Sequence, residues 1–308
     1  MVLDVLLVLG GLALLVVGGD LLVKGAVNLS LRLGITPLVV GLTVVAFGTS
    51  APELLVSLSA AWRGSTDIAL GNVVGSNIAN ILIILGATAL VAPIVTRGHD
   101  LRESWGMMMA ASLLLIALAF MGALGRWDGV ILLAALAVIL WRQLTTAKPD
   151  EVGEIEGAAL GARWGKIILW LAGGLVLLPA GADLLVRGAT DIARAFGVTE
   201  MVIGLTLVAI GTSLPEMAAS VASALRGRSD MALGNVVGSN IFNILSILGI
   251  TALFAPLPIP PEMLRLDLWV MLASSALLAP FLFRGITMGR AVGAALLAAY
   301  GAYVWVLL

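Results

Sequence analysis

Residues 69–78 read Ala-Leu-Gly-Asn-Val-Val-Gly-Ser-Asn-Ile, and residues 232–241 read the same ten in the same order. The register between them, 163 residues, holds without a gap from 18–86 against 181–249. Over 41–86 against 204–249, 31 of 46 positions are identical. Low-complexity apolar sequence repeats Leu and Ala by chance. It does not repeat Gly, Asn, Ser, Thr, Pro and Glu in register, so the chain is an internal duplication.

The solvent of both copies follows from composition. The 308 residues are 61% hydrophobic and 11% charged, with a mean hydropathy of +1.13. An ordinary soluble domain is about 25% charged. Long apolar runs at this charge density mean an integral membrane protein, built from helices rather than a barrel. The net charge of −1 offers no basic surface for nucleic acid. The absence of Cys removes disulfides and thiolate chemistry, and a single His, His99, excludes His-rich metal sites. Met1–Val17 has Asp4 as its only charge and no basic leader, so it reads as a retained first span.

Hydropathy predicts five spans per half: 2–26, 37–61, 67–92, 103–122 and 127–146, then 164–190, 200–224, 230–255, 266–283 and 288–307. The units are a first repeat at 1–146, a linker at 147–163 and a second repeat at 164–308. The linker holds Lys148, Pro149, Asp150, Glu151, Glu154 and Glu156 and is the only long polar stretch. An odd span count inverts the second repeat relative to the first, as in many secondary transporters. With the linker in the cytoplasm, 12 of the 17 Lys and Arg residues fall at cytoplasmic ends. The other five are Arg63, Arg126, Arg187, Arg194 and Arg265. Both termini then lie outside. Trp62, Trp127, Trp141 and Trp164 fall near span ends, where an interfacial belt belongs.

Glu53 and Glu216 occupy matching mid-span positions. An ionised carboxylate in hydrocarbon costs roughly 2.5–3.5 kcal/mol, so each must face a polar cavity or a buried base. No base lies at that depth in either second span. Thr49 and Ser50 share a helix face with Glu53, and Thr212 and Ser213 with Glu216. Pro52 and Pro215 lack an N–H, which predicts a break near Gly48 and Gly211 and frees carbonyls such as those of Ala46 and Ala209. Asn72, Ser76 and Asn80 stand at i, i+4, i+8, as do Asn235, Ser239 and Asn243. Ser76, Asn80, Ser239 and Asn243 read as lining. Asn77 and Asn240 point elsewhere, where interhelical glue and lining both stay open. All these donors are hard oxygens, which suit Ca²⁺ or Na⁺ over soft metals. Two carboxylates balance one Ca²⁺, and Na⁺ ions competing for the same oxygens would give the mutual exclusion that antiport needs.

Asp20 and Asp183 form another matched pair, each with a base at i+4, Lys24 and Arg187. Their expected role is structural or gate-lining at the water boundary. A rival reading makes them the dyad of an intramembrane aspartyl protease, and a further one makes the chain a passive channel. Asp67 and Asp230 read as N-caps of the third and eighth spans.

The segments Gly48-Thr49-Ser50-x-Pro52-Glu53 and Gly71-Asn72-Val73-Val74-Gly75-Ser76-Asn77-Ile78-x-Asn80, with their second-half counterparts, resemble the two alpha-repeats of the sodium/calcium exchanger family. That family sits within the cation/calcium antiporter superfamily. The resemblance implies a prokaryotic-type, all-α polytopic membrane protein with a short central loop. It implies ten spans in two inverted five-helix repeats, with spans 2, 3, 7 and 8 broken. It implies a transporter, not an enzyme, in the inner membrane of a prokaryote. Such a transporter extrudes cytoplasmic Ca²⁺ against Na⁺ by sliding the first and sixth spans across a stationary core. No cofactor and no obligatory protein partner is implied beyond the transported ions and membrane lipid. The matching site residues are Ala46, Thr49, Ser50, Glu53, Ser76, Asn80, Ala209, Thr212, Ser213, Glu216, Ser239 and Asn243. Some exchangers carry Asp where this chain has Asn243, which leaves H⁺ or K⁺ coupling as alternatives. The linker has no room for the calcium-sensing domains of animal exchangers.

Overall fold

The computed structural model describes residues 2–97, 101–146, 162–197 and 211–307. His99 and nearly all of the polar linker lie outside them. Among the described residues the helices are α1 (Val2–Leu33), α2 (Pro37–Thr49), α3 (Ala51–Trp62), α4 (Thr66–Val91), α5 (Arg102–Met121) and α6 (Arg126–Thr146). The second half contributes α7 (Trp164–Ala195), α8 (Leu214–Leu225), α9 (Ser229–Phe254), α10 (Met263–Arg284) and α11 (Arg290–Leu307). Eight of these are long and apolar enough to cross a membrane, and α2 with α3 makes a ninth, bent by 42°. The expected seventh span, 200–224, is described only from Gly211 onward.

The bend has a local cause. Ser50 leaves the helical well (φ −82°, ψ 5°), and Pro52 opens α3 within its first turn. A proline there has no N–H to offer the ladder and its ring crowds the preceding turn. Ser213 (φ −90°, ψ 3°) and Pro215 do the same ahead of α8. Each short helix then stops at a left-handed glycine, Gly64 (φ 77°) or Gly227 (φ 69°). A residue with a Cβ is disfavoured at such a φ.

The breaks expected in the third and eighth spans are not seen. α4 and α9 are helical throughout, and each instead carries one π-helical turn, at Asn80–Ile84 and Asn243–Ile247. Neither segment contains a proline, so nothing removes a backbone donor. A single wide turn suffices to accommodate the register change.

α1 and α7 also run on past their predicted ends at 26 and 190, to 32 residues each. Polar side chains such as Asn28 and Arg194 do not stop a helix; the left-handed Gly34 and Gly197 do. At 1.5 Å per residue each is about 48 Å long, well beyond a hydrocarbon core of about 30 Å.

These two helices pack antiparallel along a glycine seam. A Cβ on Gly11 would lie 2.6 Å from the Gly181 carbonyl oxygen, one on Gly25 2.8 Å from Leu171, and one on Gly188 2.5 Å from the Asp4 carbonyl. The glycines recur every seven residues on both helices, at Gly11, Gly18 and Gly25 and at Gly174, Gly181 and Gly188, with Gly11 meeting Gly181, Gly18 meeting Leu178 and Gly174 meeting Leu22. Small residues at this spacing let membrane helices approach to backbone contact. The antiparallel sense is what an inverted repeat demands.

The centre of the molecule is α4 crossed by α9. In their apolar windows 78% and 89% of residues are buried, against 11–44% in the other long helices. Short antiparallel bridges, Ile94 to Met288 and Leu124 to Leu257, tie the loops of each repeat to the other. Trp62, Trp127, Trp141 and Trp164 are all exposed at helix ends, as an interfacial belt requires.

Candidate cation site

The α2–α3 break, the start of α8 and the middles of α4 and α9 deliver the expected side chains to the core. Ala46, Thr49, Ser50, Glu53, Ser76, Asn80, Ser213, Glu216, Ser239 and Asn243 are all buried, with Glu53 and Glu216 each 1% exposed. Thr212 is half-buried and lines a cavity of about 240 Å³ with Pro52, Pro179, Asp183 and Pro215. Ala209 lies outside the described residues.

Contacts between the repeats join the two sets. Ser50 Oγ donates to Glu216 Oε1 at 3.0 Å. Thr49 Oγ1 is shared between Asn235 Oδ1 and the Ala46 carbonyl, both at 3.3 Å. Asn80 Nδ2 donates to Asn240 Oδ1 at 2.9 Å, and Asn240 Nδ2 to the Asn77 carbonyl at 3.3 Å. Asn240 thus bonds between α4 and α9, as the glue reading has it, and in doing so engages the Asn80 Nδ2 so that Oδ1 is left over. Asn77 reaches Met271 Sδ at 3.7 Å, and Asn240 reaches Met108 Sδ at the same distance.

Asn72 and Asn235 hold the backbone beside each glutamate. Asn72 Nδ2 donates to the Glu53 carbonyl at 3.1 Å and to Ser57 Oγ at 2.9 Å. Asn235 Nδ2 does the same with the Glu216 carbonyl and Ser220 Oγ, at 3.1 and 2.9 Å. Ser57 and Ser220 were missed by the sequence reading. Their signal is there, a serine one helical turn after each glutamate in both repeats.

Several of the expected site residues keep a buried oxygen with no hydrogen-bond partner: Glu53 Oε2, Glu216 Oε2, Asn80 Oδ1, Asn243 Oδ1 and Ser239 Oγ; Asn77 Oδ1, Thr88 Oγ1, Gln143 Oε1, Thr190 Oγ1 and Ser275 Oγ also lack one. No ion pair reaches either glutamate among the described residues. Buried polar groups in native proteins are otherwise nearly always satisfied. Carboxylate, amide and hydroxyl oxygens of this kind fit a hard cation, for which Ca²⁺ takes 6–8 oxygens. No group of three or more Asp, Glu or His gathers among the described residues, so the neutral oxygens are essential to such a site.

One expectation about acids is corrected, and one rival reading falls. Asp67 and Asp230 are not N-caps; Ser65 and Arg228 hold those positions. Each helix begins two residues earlier than expected, directly after the turn at the left-handed Gly64 or Gly227, which moves the acids into the first turn. There they still meet the positive end of the helix dipole, and Asp230 pairs with Arg228. Asp20 and Asp183 make their i+4 pairs, with Lys24 at 2.8 Å and Arg187 at 2.9 Å. They do not form a dyad. In the seam Gly18 faces Leu178 and Gly11 faces Gly181, which separates the two acids by about two helical turns.

Comparisons with known proteins span nearly the whole chain. A family model described as sodium/calcium exchanger protein matches residues 3–145 and 166–308. A putative antiporter, CaxA, from Alkalimonas amylolytica is 40% identical over 89% of this chain and 88% of its own length. The sodium/calcium exchanger MaX1 of Methanosarcina acetivorans is 33% identical over 98% of this chain and 97% of its own. A solved structure of the sodium-calcium exchanger NCX_Mj superposes with a TM-score of 0.84 at 34% identity, covering 99% of this chain and 98% of that one.

Proposed function

Because the chain belongs to the sodium/calcium exchanger family, we propose that it is a secondary antiporter that exchanges Na⁺ for Ca²⁺ by alternating access. The observation that carries this reading is the set of unpartnered oxygens on Glu53, Glu216, Asn80 and Asn243. All four residues are buried, and the bonds Ser50–Glu216 and Asn80–Asn240 link the two repeats beside them. Ca²⁺ there would neutralise both carboxylates. Na⁺ ions would take the same oxygens, so one occupant excludes the other. Ala46, Thr49, Ser50, Ser76, Ala209, Thr212, Ser213 and Ser239 complete the proposed ligand set.

The two five-helix repeats, 1–146 and 164–308, would enclose this site, with 200–224 forming the seventh span and bringing the count to ten. The cavity lined by Thr212, Asp183, Pro52 and Pro215 would be the approach to the site on the α7 side. Orientation follows from the 12-to-five division of basic residues, which supports a cytoplasmic linker, external termini and Ca²⁺ extrusion.

The test is purified protein in liposomes, with radioactive Ca²⁺ uptake driven in turn by outward Na⁺, K⁺ or H⁺ gradients. Uptake should follow the Na⁺ gradient alone. Uptake that ignores Na⁺ and follows pH would overturn the proposed coupling.

A further inference from the structure

The repeats match in sequence but not in arrangement. The difference lies in how α1 and α7 meet the short helix of the opposite repeat. α1 is seated on α8: a Cβ on Gly19 would lie 3.0 Å from the Ala218 carbonyl and 3.1 Å from Ala222 Cβ. One residue on, Asp20 is bridged to Arg226 at the end of α8, as well as to its own Lys24.

Moving each of these residues by the repeat register of 163 gives Ala182 and Asp183 on α7, and Leu55, Ser59 and Arg63 on α3. The mates are apart. Ala182 and Asp183 line the 240 Å³ cavity beside Pro52 and Pro215. Leu55, Ser59 and Arg63 line another opening, of about 740 Å³, on an uncovered face of α3. Asp183 is bridged to Arg187 on its own helix, and Arg63, which is exposed, has no carboxylate partner among the described residues. One end of the molecule is thus latched and the symmetry-related end is not.

We propose that Asp20–Arg226 and Asp183–Arg63 are two mutually exclusive latches, one for each access state, and that Arg226 and Arg63 are positioning residues of the exchange cycle. The proposal rests on the alternating-access reading and adds which residues hold each state. The glycine seam binds α1 and α7 into one body, because no side chain intervenes between the backbones at Gly11 and Gly181. When that body shifts to seat Ala182 against Leu55 and Ser59, it draws Gly19 and Asp20 off α8. The latch that opens does not strand its acid, since Lys24 or Arg187 one turn away keeps it paired.

The chain has no cysteine, so a single reporter thiol needs no background changes. Val186→Cys places one on the cavity beside Asp183. Its reaction rate with a water-soluble maleimide is followed in detergent, where both ends of the molecule meet water. Arg226→Gln should release the latch seen here and slow labelling about threefold, the scale of a partly exposed ion pair. Arg63→Gln should remove the opposing latch and leave labelling at or above the parent rate. The double exchange Asp20→Arg with Arg226→Asp should restore it, which also shows that the single variants fold. Equal shifts in the same direction from both arginine variants, or no shift from Arg226→Gln, would overturn the latches. Ca²⁺ exchange is measured in parallel on the parent. A parent that labels as described but does not exchange Na⁺ for Ca²⁺ refutes the transport reading and leaves the labelling result standing as a test of the latches.

Discussion

Glu53 and Glu216 each have one carboxylate oxygen with no donor, in a core that satisfies most of its other polar groups. Glu53→Gln and Glu216→Gln should each abolish Ca²⁺ exchange in liposomes, since each removes half of the charge that balances the ion; exchange at the parent rate in either would refute the site. Asn240 is the sharper case, because it touches no proposed ion ligand except Asn80. Asn240→Ala should leave the Asn80 amide free to turn its Nδ2 into the site. Loss of one buried orienting hydrogen bond costs about 1.4 kcal/mol, or roughly tenfold in Ca²⁺ affinity. Isothermal titration on Asn240→Ala beside Asn80→Ala should give non-additive losses, as expected for two residues acting through one oxygen.

At the scale of elements, neighbouring glycines on α1 make opposed predictions. A Cβ on Gly10 meets nothing within 4 Å, while one on Gly11 meets the backbone of Gly181 and Leu185 at 2.6 Å. Gly10→Ala should hold or slightly raise the thermal midpoint in detergent, and Gly11→Ala should lower it, since α7 must move bodily to admit the methyl. The pair also shows what a sequence does and does not disclose. Span positions and the matched glutamates were readable because hydropathy, Pro52 and Pro215 act on their own neighbours. The π-helical turns at Asn80 and Asn243 were not, since no residue type demands them. Nor was the job of Asn240, whose partners lie in the other repeat at 160 and 163 residues' separation. The full lengths of α1 and α7 escaped for a third reason: apolar runs end where the membrane does, and these helices do not.

For the whole molecule, the proposed site lies between the repeats, so its occupancy and the folded state should be linked. A ligand at about a hundred times its dissociation constant adds about 2.7 kcal/mol to stability. Ca²⁺ should therefore raise the thermal midpoint of the purified protein above its value in chelator. The same addition to Glu216→Gln should produce a much smaller rise, measured by tryptophan fluorescence on heating. A Ca²⁺ response unchanged in that variant would move the ion elsewhere.

The ten residues shared by α4 and α9 enter the membrane from opposite faces. Most depths look different from above and from below, because the two leaflets differ in charge, headgroups and potential. Only the midplane looks the same from either side. Toward the helix ends the copies match in patches, with Trp62 answered by Leu225 and Lys24 by Arg187 while Arg63 and Gly64 recur as Arg226 and Gly227. At the buried crossing they match throughout the ten residues. Sequence identity between the halves thus follows burial: these segments are surrounded by protein rather than lipid, and turning one upside down changes little of what it touches.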